Sequence, residues 1–186
     1  VQVSNANTPV WRDIQVESRM PAQLNVLQEM SRNTWWVWNN ESLSMFKSID
    51  PEIWNAVNGN PVMMLNRVSY ERLEEIVADK AMMTTIQTEY EKFRQYIDEK
   101  PSADLPSVAY FSMEYGLANV LKIYSGGLGI LAGDYLKEAS DSNIDMVAVG
   151  FLYRYGYFTQ TLSMDGQQLA NYEPQNFNQL PIEQVV

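Results

Sequence analysis

Between residues 108 and 153 two apolar runs flank a glycine-rich turn and a helical stripe, and that order leaves few folds open. Val108-Ala109-Tyr110-Phe111-Ser112 reads as a short strand of the buried type, and Asp145 to Tyr153 as a second, nearly continuous one. Runs that are apolar throughout suit a parallel sheet, whose two faces are both covered. Between them Ile123-Tyr124 leads into Ser125-Gly126-Gly127-Leu128-Gly129. Leu128, Leu131, Ala132, Tyr135, Leu136 and Ala139 then recur at helical spacing, ending near Ser142-Asn143. Strand, glycine turn, helix and strand in that order form an α/β unit. Two alternating runs further on flank Asp165-Gly166, the signature of a tight hairpin.

The first hundred residues read differently. Apolar residues at 10, 14 and 16 suggest one strand within residues 9–18, and from Pro21 the period becomes helical. Leu24, Leu27 and Met30 lead into Trp35 and Trp38; Asn39-Asn40 breaks this run and caps a helix bearing Leu43, Phe46 and Ile49. Asp50-Pro51 is an N-cap followed by proline at the first helical position. Asn58-Gly59-Asn60-Pro61 is a turn, and Ser69 caps a helix with Leu73, Ile76 and Val77 inward. A longer helix spans about Ala81 to Asp98, with Met82, Ile86, Tyr90, Phe93 and Ile97 on one stripe. Pro101 and Pro106, with small polar residues between them, mark a linker. The expected division is therefore a mainly helical extension over 1–100, a linker over 101–107, and α/β structure over 108–186.

Composition narrows the chemistry. Hydrophobic residues make up 46% of the 186, enough for a packed core, and the net charge is −10. Nucleic acid and anionic membrane surfaces are disfavoured partners, because both are bound through clustered Lys and Arg. There is no cysteine and no histidine, which removes disulfides, thiolate nucleophiles and the commonest general base and metal ligand. No metal site is expected. No apolar run approaches the ~20 residues of a membrane span, and the first residues have neither the basic nor the apolar region of a signal peptide. A cytoplasmic protein is expected.

Two readings of Gly126 to Gly129 stand side by side. Glycines admit a ligand close to the backbone, and a new helix N-terminus offers free N–H groups, so the loop suits a phosphate. The same residues also make a tight strand-to-helix turn with no ligand. A dinucleotide reading of Gly127-Leu128-Gly129-Ile130-Leu131-Ala132 fails, because it requires an acid at the end of the second strand. That strand ends in Phe151-Leu152-Tyr153-Arg154, and Asp145 sits at its start. Glu114 follows the first strand directly, where ligands of open α/β sheets gather, and Arg154 and Tyr155 border the same crevice. For an isolated Glu at a strand end a solvated or ion-paired side chain is the better reading of Glu114, and a solvated helix face explains Asp134 and Lys137 equally well. In Trp35-Trp36-Val37-Trp38, helical spacing turns Trp35 and Trp38 to the core and leaves Trp36 as a surface candidate for stacking on sugar.

Three motifs together carry a resemblance. Tyr110-Phe111-Ser112-Met113-Glu114-Tyr115-Gly116, Ile123-Tyr124-Ser125-Gly126-Gly127-Leu128-Gly129-Ile130-Leu131-Ala132-Gly133-Asp134 and Gly150-Phe151-Leu152-Tyr153-Arg154-Tyr155-Gly156-Tyr157-Phe158 resemble the α-glucan (glycogen, starch and maltodextrin) phosphorylases. Asn33-Thr34-Trp35-Trp36-Val37-Trp38-Asn39, Asp50-Pro51-Glu52 and Gly59-Asn60-Pro61-Val62 are similar to the helical N-terminal extension of their bacterial and archaeal branch. The resemblance runs in order along nearly the whole chain. It implies the beginning of the N-terminal lobe of a two-lobed, Rossmann-like GT-B glycosyltransferase. It implies phosphorolysis of terminal α-1,4-linked glucose by inorganic phosphate, with pyridoxal phosphate as cofactor, its phosphate group handling proton and charge.

By that resemblance Gly126, Gly127 and Leu128 contact the cofactor and substrate phosphates, Gly127, Leu128 and Arg154 meet substrate, and Glu114 has a hydrogen-bonding or positioning role at the catalytic site. The family's histidines near Ala118 and in place of Tyr135 are absent, and the Schiff-base lysine belongs to the C-terminal lobe, outside this chain. The chain is therefore expected to be inactive alone, with the remainder of the phosphorylase as partner, and to self-associate as a homo-oligomer through uncovered apolar surface. A stand-alone glucan-binding module on the same fold is the alternative.

Overall fold

A computed structural model describes residues 19–101 and 106–185. The strand expected within residues 9–18 lies outside them, as do residues 102–105 of the linker. A 3-10 turn at Ala22–Leu24 leads into α1 (Asn25–Arg32), and a second at Thr34–Val37 precedes α2 (Asn40–Ile49). α3 (Pro51–Ala56), α4 (Pro61–Leu65), α5 (Tyr70–Ala78) and α6 (Lys80–Asp98) follow. The α/β part is β1 (Val108–Phe111), α7 (Gly127–Asp141), β2 (Met146–Val149) and the strands β3 (Thr159–Leu162) and β4 (Gln168–Asn171).

Short polar residues punctuate the helices. Asn39, Asp50, Asn60 and Ser69 accept from the N–H groups of Ser42, Ile53, Met63 and Arg72 at 2.9–3.1 Å, and Asp79 accepts from Ala81 and Met82. Each such cap satisfies donors that have no intrahelical partner. The Asn58–Gly59 turn takes φ of 53° and 73°. The helices enclose a core of Leu24, Leu27, Met30, Trp35, Trp36, Phe46, Ile49, Trp54, Leu73, Ile76, Ile86 and Phe93. Glu89 is buried among them, accepting from Ser42 Oγ at 2.8 Å and pairing with Lys92 at 2.8 Å. Ile97, expected on the inward stripe of α6, is exposed.

Trp36 is not a surface residue: it is 4% exposed, edge-on to Phe46 and Trp54 with centroids 6.3 Å away. The reason is local. Asn33 takes an extended backbone, accepts from Trp35 N–H at 2.8 Å and starts a 3-10 turn. With about three residues per turn, Trp35 and Trp36 both face the core, and Trp38 is left half-buried at the rim.

β1 and β2 pair in parallel, Val108 with Met146 through Phe111 with Val149. β3 and β4 form the expected antiparallel hairpin, with Gly166 at φ 80°. Two expectations of burial need correction. Both parallel strands are largely exposed (Phe111 by 70%), since among the described residues this sheet has only two strands. α7 turns its small residues inward: Gly129, Ala132, Gly133 and Ala139 are buried, whereas Leu128, Leu131 and Tyr135 are exposed. The segment after β1 crosses so closely that a Cβ on Gly133 would collide with the Gly116 carbonyl, and the large side chains rotate outward.

Candidate functional site

The turn leaving β1 is pinned before it reaches the glycine loop. Buried Tyr115 donates its hydroxyl to the Tyr110 carbonyl at 2.6 Å, and Ser112 Oγ donates to the Glu114 carbonyl at 2.9 Å. Gly116 N–H donates to the Gly129 carbonyl at 2.7 Å, joining this turn to the first turn of α7. These bonds aim the Glu114 side chain at the loop. Its carboxylate accepts from Ser125 Oγ at 2.9 Å and from Ser125 N–H at 3.2 Å. The Ser125 backbone and hydroxyl, followed by the Gly126 and Gly129 N–H groups, hold the Glu114 carboxyl below its ordinary range. Hydrogen bonds to the charged form and the positive end of a helix both act in that direction. Sequence order alone put Glu114 and the loop near one crevice; here they are bonded to each other.

The glycines of the loop divide into two kinds. A Cβ on Gly129 would lie 2.5 Å from Tyr124 Cβ and 3.1 Å from Glu114 Oε2, so only glycine lets the carboxylate dock. Gly126 and Gly127 differ: a Cβ there would meet nothing within 4 Å, and the φ of Gly126, −157°, is open to any residue. Their small size leaves the helix start accessible from outside the chain. Beside them Leu128 is exposed. The first N–H groups of a helix lack intrahelical acceptors. With Ser125 taken up by Glu114, the N–H groups at the start of α7, those of Gly127 and Leu128 among them, are left for an anion. This donor set and the open space over it fit a phosphate group.

A cleft of about 240 Å³ adjoins the carboxylate, its lining including Glu114, Lys122, Tyr124, Tyr153, Tyr155 and Tyr157. Arg154 does not line it; its side chain is exposed and its carbonyl accepts from Gln175 N–H at 2.7 Å. Gln175 also donates through Nε2 to the Tyr153 carbonyl at 2.6 Å and accepts through Oε1 from Lys122 N–H at 3.3 Å, so one amide staples both walls. The sequence pattern marks neither Lys122 nor Gln175, and it carries Tyr124 only as part of the motif before the loop, not as a wall of this cleft. The Tyr153-Arg154-Tyr155-Gly156-Tyr157 alternation carries a signal for the tyrosine wall, since alternate residues of an extended chain share a face. Nothing local marks Gln175, which acts 53 residues from Lys122.

Residues 20–121 match a family described as a protein of unknown function, DUF3417. The maltodextrin phosphorylase of Thermococcus litoralis is 38% identical over 176 residues, covering 91% of this chain and 21% of the relative. The glycogen phosphorylase of Mycobacterium tuberculosis is 37% identical over 183 residues, 92% of this chain and 21% of its own. The glycogen phosphorylase of Aquifex aeolicus is 35% identical over 164 residues, with shares of 86% and 23%. This chain thus spans about a fifth of the length of these relatives. No solved structure gives a significant match.

Proposed function

Because this chain belongs to the DUF3417 family and is related along most of its length to glycogen and maltodextrin phosphorylases, we propose that it forms the first part of an α-1,4-glucan phosphorylase. The reaction exchanges a terminal α-1,4-glucosidic bond for a bond to inorganic phosphate, releasing glucose 1-phosphate and a glucan one unit shorter. In this reading residues 108–186 begin a GT-B lobe, residues 1–100 are a helical extension, and 101–107 link them. The whole protein is an oligomer of the cytoplasm; among the described residues no helix is long and apolar enough to cross a membrane.

The observation that carries the reading is the glycine loop braced by an ionised carboxylate beside a tyrosine-lined cleft. Gly127 and Leu128 N–H groups bind phosphate oxygens and stabilise charge that grows there. Glu114 holds the loop through Ser125, and the tyrosines of the cleft lie against a sugar ring. Gly126 keeps the approach open, and Arg154, exposed outside the cleft, is assigned to the anionic substrate in this reading. Pyridoxal phosphate, when bound with its Schiff-base lysine outside these residues, supplies a phosphate group as proton and charge carrier.

The test is phosphate-dependent release of glucose 1-phosphate from maltodextrin by the full protein supplied with pyridoxal phosphate. Release that requires both phosphate and glucan supports the reading. The tyrosine cleft favours one second reading, a glucan-binding module; maltoheptaose binding with no glucose 1-phosphate would replace the first reading by that one.

A further inference from the structure

We infer that Asp141, at the last turn of α7, joins Trp38 and Tyr96 of the helical half in a latch that fixes where the far end of α7 presents its glycine loop. All three are then positioning residues for the reaction proposed above, and the inference rests on that reading for its catalytic consequence. Asp141 stands where a carboxylate opposes the helix dipole, and α7 has no basic residue in its last turn. A helix built for its own stability carries Lys or Arg there. Asp141 instead serves as an acceptor across the chain: its Oδ1 accepts from Trp38 Nε1 at 3.1 Å and from the Tyr96 hydroxyl at 2.7 Å. Since a phenol has one proton, Tyr96 donates to Asp141 and accepts from Ser140 Oγ, 2.7 Å away.

Both donors are backed by the helical core. The Tyr96 ring lies 5.7 Å from that of buried Trp35, and Trp38 is the C-cap of the 3-10 turn that carries Trp35 and Trp36. Two residues past the end of α7, Asn143 takes a left-handed φ of 50° and donates through Nδ2 to the Lys100 carbonyl at 2.9 Å, extending the latch. α7 has 15 residues, so at 1.5 Å per residue it is a rod of roughly 22 Å. A rod held at Asp141 transmits any shift to Gly127 and Leu128, because a helix is stiff along its axis. The matched family spans residues 20–121, which contains Trp38, Tyr96 and Glu114 together. The helical half thereby acquires a role in the chemistry without touching substrate.

The full protein carrying Trp38→Phe and Tyr96→Phe together tests this, with Tyr90→Phe as control. Tyr90 lies on the same helix and donates to Glu29, within the helical half. The latch variant should lose about ten- to a hundred-fold in kcat, with a raised KM for phosphate and an unchanged KM for glucan, as misplaced reacting groups do. Hydrogen exchange of the Ser125–Gly129 amides should quicken in that variant and not in Tyr90→Phe. Asp141→Asn, which keeps an acceptor oxygen, should retain more activity than Asp141→Ala. Lowered melting temperature with unchanged kinetics and unchanged loop exchange would reduce the latch to a plain structural contact and overturn the inference. If the wild-type protein releases no glucose 1-phosphate, the phosphorylase reading fails by itself. Loop exchange then decides the latch alone, and unchanged exchange overturns it.

Discussion

Glu114 keeps its charge because Ser125 and the start of α7 offer it donors that water would otherwise have to supply. A carboxyl whose folded pKa lies below its ordinary value contributes stability above the ordinary value and loses it as pH falls. The thermal unfolding gap between wild type and Glu114→Gln should therefore be widest near neutrality and close as pH drops through about 4.5 and below. A constant gap from pH 7 to pH 3 would mean that shape, not charge, holds the loop. In the full protein the same substitution should cost about tenfold or more in kcat by loosening the phosphate donors. Tyr96 gives the opposite sign. Burial first, then its bond to Asp141, pushes the phenol from 10.0 up to about 12. Its contribution is complete below pH 10 and lost as pH rises towards 12; an alkaline melt of wild type should fall over that window, and Tyr96→Phe should flatten the fall. At this scale the sequence told part of the story. Glu114 is legible because it follows a strand, but Asp141 looks like any solvated acid until Tyr96 and Trp38 arrive from 45 and 103 residues away.

The starts of α2, α3 and α5 are the most legible boundaries, because each is set by a side chain within three residues of the backbone it caps. Asn39, Asp50 and Ser69 fall where the polar breaks put them. α4 was missed for a physical reason. Asn60-Pro61 ends one turn and simultaneously caps five residues of helix, too few for a period to show. Asp50→Ala should cost about 1 kcal/mol, as loss of a cap does. Asn60→Ala should cost more by denaturant titration, since Nδ2 of Asn60 also donates to the Gln179 carbonyl at 2.8 Å. For α7 the apolar stripe misled, because the close crossing at Gly116 selects small residues and not large ones for the inner face. Gly133→Ala separates these effects. Helix propensity alone favours alanine by roughly 1 kcal/mol, but the added methyl meets the Gly116 carbonyl, which the backbone cannot easily move. Net destabilisation of about 1–3 kcal/mol, typical of overpacking, is expected; a stabilised variant would show that the crossing is loose.

At the scale of the whole molecule, two regions differ in how complete they are. The helical half buries three of its tryptophans and a contiguous core, whereas the parallel sheet leaves Phe111 and Val147 exposed, with Phe151 just beyond it and Leu131 on α7 exposed as well. A two-stranded sheet is marginal in water without further strands or helices over it, and contiguous apolar patches mark surfaces that another surface covers. Pattern reading placed the parallel pair correctly yet gave the strands a buried environment, because an apolar run reports the surroundings for which a strand is suited and not which atoms supply them. Residues 1–186 made alone should therefore associate reversibly, with a mass by light scattering that rises with concentration. Replacing Phe111 by Ser, Val147 by Thr and Leu131 by Gln should return the chain towards a monomer while leaving its helical circular dichroism unchanged. In the full protein the same three changes should lower the melting temperature without dispersing anything, since there these surfaces would be internal seams between parts of one lobe. A monomer at every concentration, with the three changes silent in both proteins, would mean that the exposed strands need no cover and that these residues are complete as a folding unit.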